Sequence, residues 1–212
     1  MSRYRLLLLA LIGLLLVSCV MSLGFGAAPV PVEVVWRVLL FKVAGVAPET
    51  PAWTTGQGRI VWLIRVPRML LAGLVGGGLA MIGAVLQAVT RNPLADAHLL
   101  GVSSGATLGA VLVVLHIGEV LGVLTLPLAA FIGALCSMLV VLAIASRHGR
   151  LDSDRLLLCG VAVAFVMMAI ANLLLFMGDH RASSAVMFWM LGGLGLARWE
   201  LLPIPAISVL LG

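Results

Sequence analysis

Long apolar runs separated by short polar punctuation dominate the chain. The runs centre on Leu6 to Leu23, Met69 to Val89, Leu99 to Leu115, Leu121 to Ala145 and Leu156 to Met177, and a proline-broken sixth extends from Leu201 to the end. A span needs about 20 apolar residues, so the pattern predicts about six transmembrane helices in an all-α, polytopic integral membrane protein. The third run is short. Residues 24–58 interrupt the pattern, because Gly24, Gly26, Pro29, Pro31, Pro48 and Pro51 break the chain there. Within that loop, Val32 to Val43 (VEVVWRVLLFKV) predicts a short helix lying on the membrane surface. Residues 178–200 form a second external segment, with a short apolar helix expected over 183–191 and Trp189 and Trp199 suited to the interface. The expected organisation is one transmembrane domain over residues 1–212.

Small residues recur inside these runs at helical spacing. Gly76, Ala80, Ala84 and Ala88 return every four residues, and Gly101, Gly105 and Gly109 repeat the device in the next run. In water each interior glycine costs roughly 1 kcal/mol relative to alanine. In lipid the same positions become packing surfaces that let helices approach closely. A polar hinge, Thr90-Arg91-Asn92-Pro93, separates the two runs, and Pro67 fits the first turn of the second span.

Composition supports the membrane reading. Hydrophobic residues make up 63% of the chain, charged residues 10%, and the mean hydropathy is +1.24. The net charge of +5 is scattered between spans and forms no basic face, which points to lipid headgroups and protein partners and away from nucleic acid. With a cytoplasmic N-terminus, the inner segments hold six basic residues and the outer ones seven, so charge counting leaves orientation open. Leu16-Val17-Ser18-Cys19 has the look of a lipobox, but the membrane-embedded remainder favours an uncleaved first helix. Cys19, Cys136 and Cys159 sit in apolar runs without metal-binding spacing.

Several polar residues have both a structural and a functional reading. Arg65 and Arg68, three apart before the second span, are expected to project together into the outer aqueous layer. There they would either snorkel or receive acidic residues of a docking partner. Ser153 and Asp154 lie where the loop before the fifth span enters its helix, with Asp152 or Ser153 as N-cap or the group as a cytoplasmic gate. Asn172, deep in the fifth run, either bridges helices or lines a polar path. His98, His116, His148 and His180 are too dispersed to bind a metal, and no nucleophile–base set or phosphate loop is present. No catalytic residue, cofactor or metal is expected.

An ordered set of motifs resembles the FecCD permeases, the membrane subunits of bacterial ABC importers for iron-siderophores, haem and cobalamin. The set begins with Arg65-Val66-Pro67-Arg68, Gly83-Ala84-Val85-Leu86-Gln87, Asn92-Pro93-Leu94-Ala95 and Leu100-Gly101-Val102-Ser103-Ser104-Gly105-Ala106. Arg155-Leu156-Leu157-Leu158, Gly160-Val161-Ala162 and Trp189-Met190-Leu191-Gly192-Gly193 are similar to later landmarks, so the likeness covers about residues 55–200. The resemblance implies a permease subunit with ten transmembrane helices, a cytoplasmic N-terminus, and a place in the inner membrane. It implies a homodimer or a sister permease, cytoplasmic ATP-binding subunits, and a periplasmic or lipid-anchored substrate-binding protein. By the same resemblance Arg65 and Arg68 dock the binding protein, and Ser153 and Asp154 form the cytoplasmic gate, with Asp154 departing from the family's small hydroxyl residues. Asn172 lines the translocation path. The subunit would perform no chemistry. The expected cytoplasmic coupling helix after the sixth span is missing, so the chain is read as the N-terminal part of a permease, unable alone to couple ATP hydrolysis to transport. An ion-coupled secondary transporter is the rival, but it calls for charges in mid-span, where this chain has none.

Overall fold

The computed structural model describes residues 3–45, 53–93, 95–148, 153–179, 184, 186, 187 and 189–212, and its regular elements are helical. Among the described residues, four helices are long and apolar enough to cross a membrane: Arg3–Gly24, Thr55–Thr90, Gly122–Ala145 and Ser153–Met177. Val102–Ile117 is a shorter apolar helix, as the short third run predicts, and the last run contributes the nine-residue helix Pro203–Leu211. Of the helix expected over 183–191, residues 184, 186, 187, 189 and 190 are described and helical, while 183, 185 and 188 lie outside the described residues, as do Pro48, Pro51, Leu94, Asp152 and His180.

Packing divides the chain into two compact units, Met1–Gly78 with Leu194–Gly212, and Leu79–Gly193. In the first, α1 (Arg3–Gly24) leads to α2 (Val32–Ala44), where the loop pattern predicts a short helix. Its inner face places Val34, Val35 and Val38 in a core with Leu23, Val30, Val61 and Val66. On its outer face Glu33 pairs with Arg37, while Gly45, in the left-handed region at φ +70°, ends the helix with its N–H on the Phe41 carbonyl. Next, α3 (Thr55–Arg59) opens with a capping box between Thr54 and Gln57. A π-helical turn, Ile60–Arg65, then runs directly into α4 (Val66–Thr90).

Pro67 therefore sits inside a continuous helix, two residues past the end of the wide turn, and not in the first turn of that helix. A proline there clashes with the carbonyl four residues earlier in tight α geometry, and a wider turn opens that register. The Val66 N–H bonds the Val61 carbonyl, and Pro67 has no N–H, so the Trp62 carbonyl is left without an in-helix donor. The Trp199 indole Nε1–H fills the gap at 2.8 Å, with the two indole rings 4.8 Å apart between centroids.

In the second unit, a 3₁₀ turn, Ala97–Leu100, precedes α5 (Val102–Leu112). A π turn, Val113–Ile117, closes α5, followed by α6 (Thr125–Ala145) and α7 (Ser153–Met177). These three pack as a bundle. Helix α8 (Pro203–Leu211) belongs to the first unit.

Candidate functional site

Arg65 and Arg68 lie where the π turn runs into α4, beside the end of α1. Arg65 closes the π turn, and its guanidinium folds back onto the end of α1. One terminal nitrogen, Nη1, donates to the carbonyls of Leu23 at 2.6 Å and Gly24 at 2.9 Å, and Nη2 donates to Ala28. The last carbonyls of a helix lack in-helix donors and carry the negative end of its dipole, so a guanidinium is a favourable cap there. Arg65 is only 7% exposed, whereas Arg68 is exposed. The two do not project alike, because the longer-range demand of the α1 terminus draws one of them inward. Both border a cavity of about 770 Å³ whose walls include Ser22, Gly26, Met69 and Gly73.

The glycines of α5 meet backbone. A Cβ on Gly105 would lie 2.4 Å from the Gly133 carbonyl oxygen, and one on Gly109 would lie 2.1 Å from that of Ala129. Reciprocally, a Cβ on Gly133 would lie 2.2 Å from the Gly105 oxygen. Gly101 takes φ +74°, a left-handed conformation natural to glycine, and its carbonyl accepts from Ser104 Oγ and from the fully buried Ser137 Oγ of α6, each at 2.8 Å. Gly160 of α7 sits against the Leu99 carbonyl, where a Cβ would approach to 2.3 Å. Gly76, Ala80 and Ala84 behave differently: all three are exposed, and a Cβ on Gly76 would meet nothing within 4 Å.

At the α7 entrance, Ser153 is half-buried and its Oγ, itself enclosed, has no partner among the described residues. Asp154 beside it is exposed in the first turn. Asn172 is exposed on α7, next to the fully buried Ala171. Among the described residues, no group of histidine, cysteine and acidic side chains is placed to hold a metal. Sequence reasoning passed over Gly133 and Ser137, and took Gly160 only as part of a family motif. A signal existed for the first two, since Ala129, Gly133 and Ser137 recur every four residues along α6.

Comparison with known proteins fits this arrangement. The FecCD transport family matches residues 14–212. The chain is 41% identical over 165 residues to the vitamin B12 import system permease protein BtuC of Escherichia coli O17:K52:H18, covering 77% of this chain and 50% of that protein. It is equally identical over 149 residues to BtuC of Salmonella paratyphi A, covering 70% and 45%. It thus spans about half the length of the curated relatives it matches. A solved inward-facing structure, described as of a metal-chelate type ABC transporter, superposes on 98% of this chain and 60% of its own, with TM-score 0.74 and 26% identity. An all-helical membrane fold, an ordered set of motifs and a family match across nearly the whole chain lead to one conclusion: this protein belongs to the FecCD transport family.

Proposed function

We propose that this chain forms the membrane-spanning part of an importer permease that moves a metal-chelate nutrient across the bacterial inner membrane, with vitamin B12 as the first cargo to test. The family match over residues 14–212 carries this reading, and the relatives named for vitamin B12 import favour a corrinoid over an iron-siderophore or haem. In this reading the N-terminus is cytoplasmic, which puts α2, Arg65 and Arg68 outside and the Ser153–Asp154 entrance inside. Arg68, exposed and without a hydrogen-bond partner among the described residues, is the outer charge that meets acidic side chains of a substrate-binding protein. The Ser153 hydroxyl and Asp154 mark the inner gate, Asn172 faces the cargo path, and the exposed small-residue face of Gly76, Ala80 and Ala84 accepts a helix of the wider assembly. Cytoplasmic ATP-binding subunits and a second permease copy or a sister permease complete the machine. ATP-driven closure below biases a two-state helix arrangement above, so the permease itself needs no catalytic group.

The test is uptake of radiolabelled cyanocobalamin, and in parallel of ferric siderophore, in cells lacking their own B12 permease. The complete permease containing this chain is supplied with its ATPase and binding protein. Cyanocobalamin accumulation that stops on ATP depletion supports the proposal. Accumulation of the siderophore alone moves the cargo to the iron class, and ion-gradient-driven uptake without the ATPase overturns the importer reading.

A further inference from the structure

We propose that α2 is seated in the membrane interface: Val32, Trp36, Leu40 and Val43 insert among the lipids of the leaflet at the C-terminal end of α1, with Lys42 at the level of the phosphates. Helix α2 carries two apolar faces, and only one of them packs on the protein. Val34, Val35 and Val38 are buried with Leu23, from the end of α1, and with Val61 and Val66, where the helix that becomes α4 begins. Val32, Trp36, Leu40 and Val43 recur at helical spacing and are 47 to 76% exposed. At about 100° per residue, this second stripe is centred about 150° around the helix from the buried valines. Glu33 and Arg37, paired with each other, occupy the arc roughly opposite the midpoint between the two stripes. The polar edge therefore points away from both apolar surroundings, as the water-facing edge of a helix wedged between protein and lipid does.

The stripe starts at the depth where a span ends. A Cβ on Gly24, the last residue of α1, would lie 3.5 Å from Val32 Cγ2, and Met21 and Phe25, before and after Gly24 in sequence, are exposed as well. The apolar surface of a membrane-crossing helix thus runs on into α2. At 13 residues α2 reaches about 20 Å, too short to cross the bilayer itself. Its chemistry fits lipid. An indole belongs at headgroup level, and Lys42, exposed in the last turn with its ammonium 5.6 Å from the Phe41 ring centroid, combines an apolar stem with a charge that phosphates attract. Left in water, the stripe would be a contiguous patch of large apolar side chains. The leaflet is the outer one on the orientation given in the proposed function, whereas the seat itself does not depend on that orientation.

The seat is read in the complete permease in nanodiscs, with Cys19, Cys136 and Cys159 replaced by alanine and a bimane fluorophore on Leu40→Cys or on Glu33→Cys. Quenching by brominated phospholipid is compared with quenching by aqueous iodide. The label at 40 is expected to be quenched several-fold more by the lipid than the label at 33, and the label at 33 several-fold more by iodide. If Leu40→Cys does not accumulate, Val43→Cys on the same stripe takes its place. Iodide quenching at 40 equal to that at 33 puts the stripe in water and overturns the proposal. Shielding from both quenchers, in the permease alone or once the binding protein is added, means that protein covers the stripe, and overturns it too. Brominated phosphatidylglycerol is expected to quench the label at 40 about twofold more than brominated phosphatidylcholine, a preference that Lys42→Gln removes. Equal quenching by the two lipids in the parent overturns the assignment of Lys42 to the phosphates. Cargo uptake is measured independently, so loss of the seat leaves the importer reading standing.

Discussion

A tryptophan repairs what a proline removes. Pro67 deprives the Trp62 carbonyl of a main-chain donor, and the Trp199 indole supplies one from a distant part of the sequence. Trp199→Phe keeps the stacked ring but deletes the N–H, and is expected to cost about 1 kcal/mol, the usual worth of a net hydrogen bond. In a Pro67→Ala background the new N–H can serve the Trp62 carbonyl through the i→i+5 register, so the same change should cost less. Thermal midpoints of the four detergent-solubilised proteins give the coupling, and strict additivity would contradict the account. Neither this pairing nor the inward turn of Arg65 is legible in the sequence. A spacing of three residues tells which side chains share a helix face. It says nothing about orphan carbonyls that chain connectivity brings to that face from forty residues away.

Elements were easier to read than their junctions. The helix expected over Val32 to Val43 forms from Val32–Ala44, because alternation of apolar and polar residues at helical period is a local property. The second span was expected from Met69, yet the helix already runs from Thr55. Gln57, Arg59 and Arg65 interrupt the apolar run without interrupting the helix, so hydropathy marks the apolar stretch and misses the polar extension before it. The α5–α6 seam is where small residues decide most. Gly105→Ala would drive a methyl carbon against the Gly133 carbonyl and Ser137 Cβ, at 2.4 and 2.5 Å, and backbone cannot step aside as a side chain can. Overpacking of this kind is expected to cost about 1–3 kcal/mol. Gly76→Ala, facing open space, is the matched control and should not lower the melting midpoint. Equal losses at the two positions would show that glycine spacing, and not contact with a carbonyl, governs the seam.

For the molecule as a whole, the sequence resemblance anticipated the family, and hydropathy anticipated four helices long and apolar enough to cross a membrane among the six runs it marked, since both follow from ordered local motifs. The division of the packing into two units was not anticipated, because it depends on which helices actually touch. The manner of touching in α5, α6 and α7 has a mechanical consequence. Where main chain lies directly on main chain, no cushion of rotatable side chains exists to absorb sliding, and the three rods share one stiffness. In the proposed transport cycle they would then move as a single lever. Labels at Leu112 and Phe131, exposed on α5 and α6, should keep one separation in nucleotide-free and ATP-trapped complexes. A separation that changed between the two would mean the lever flexes in the middle.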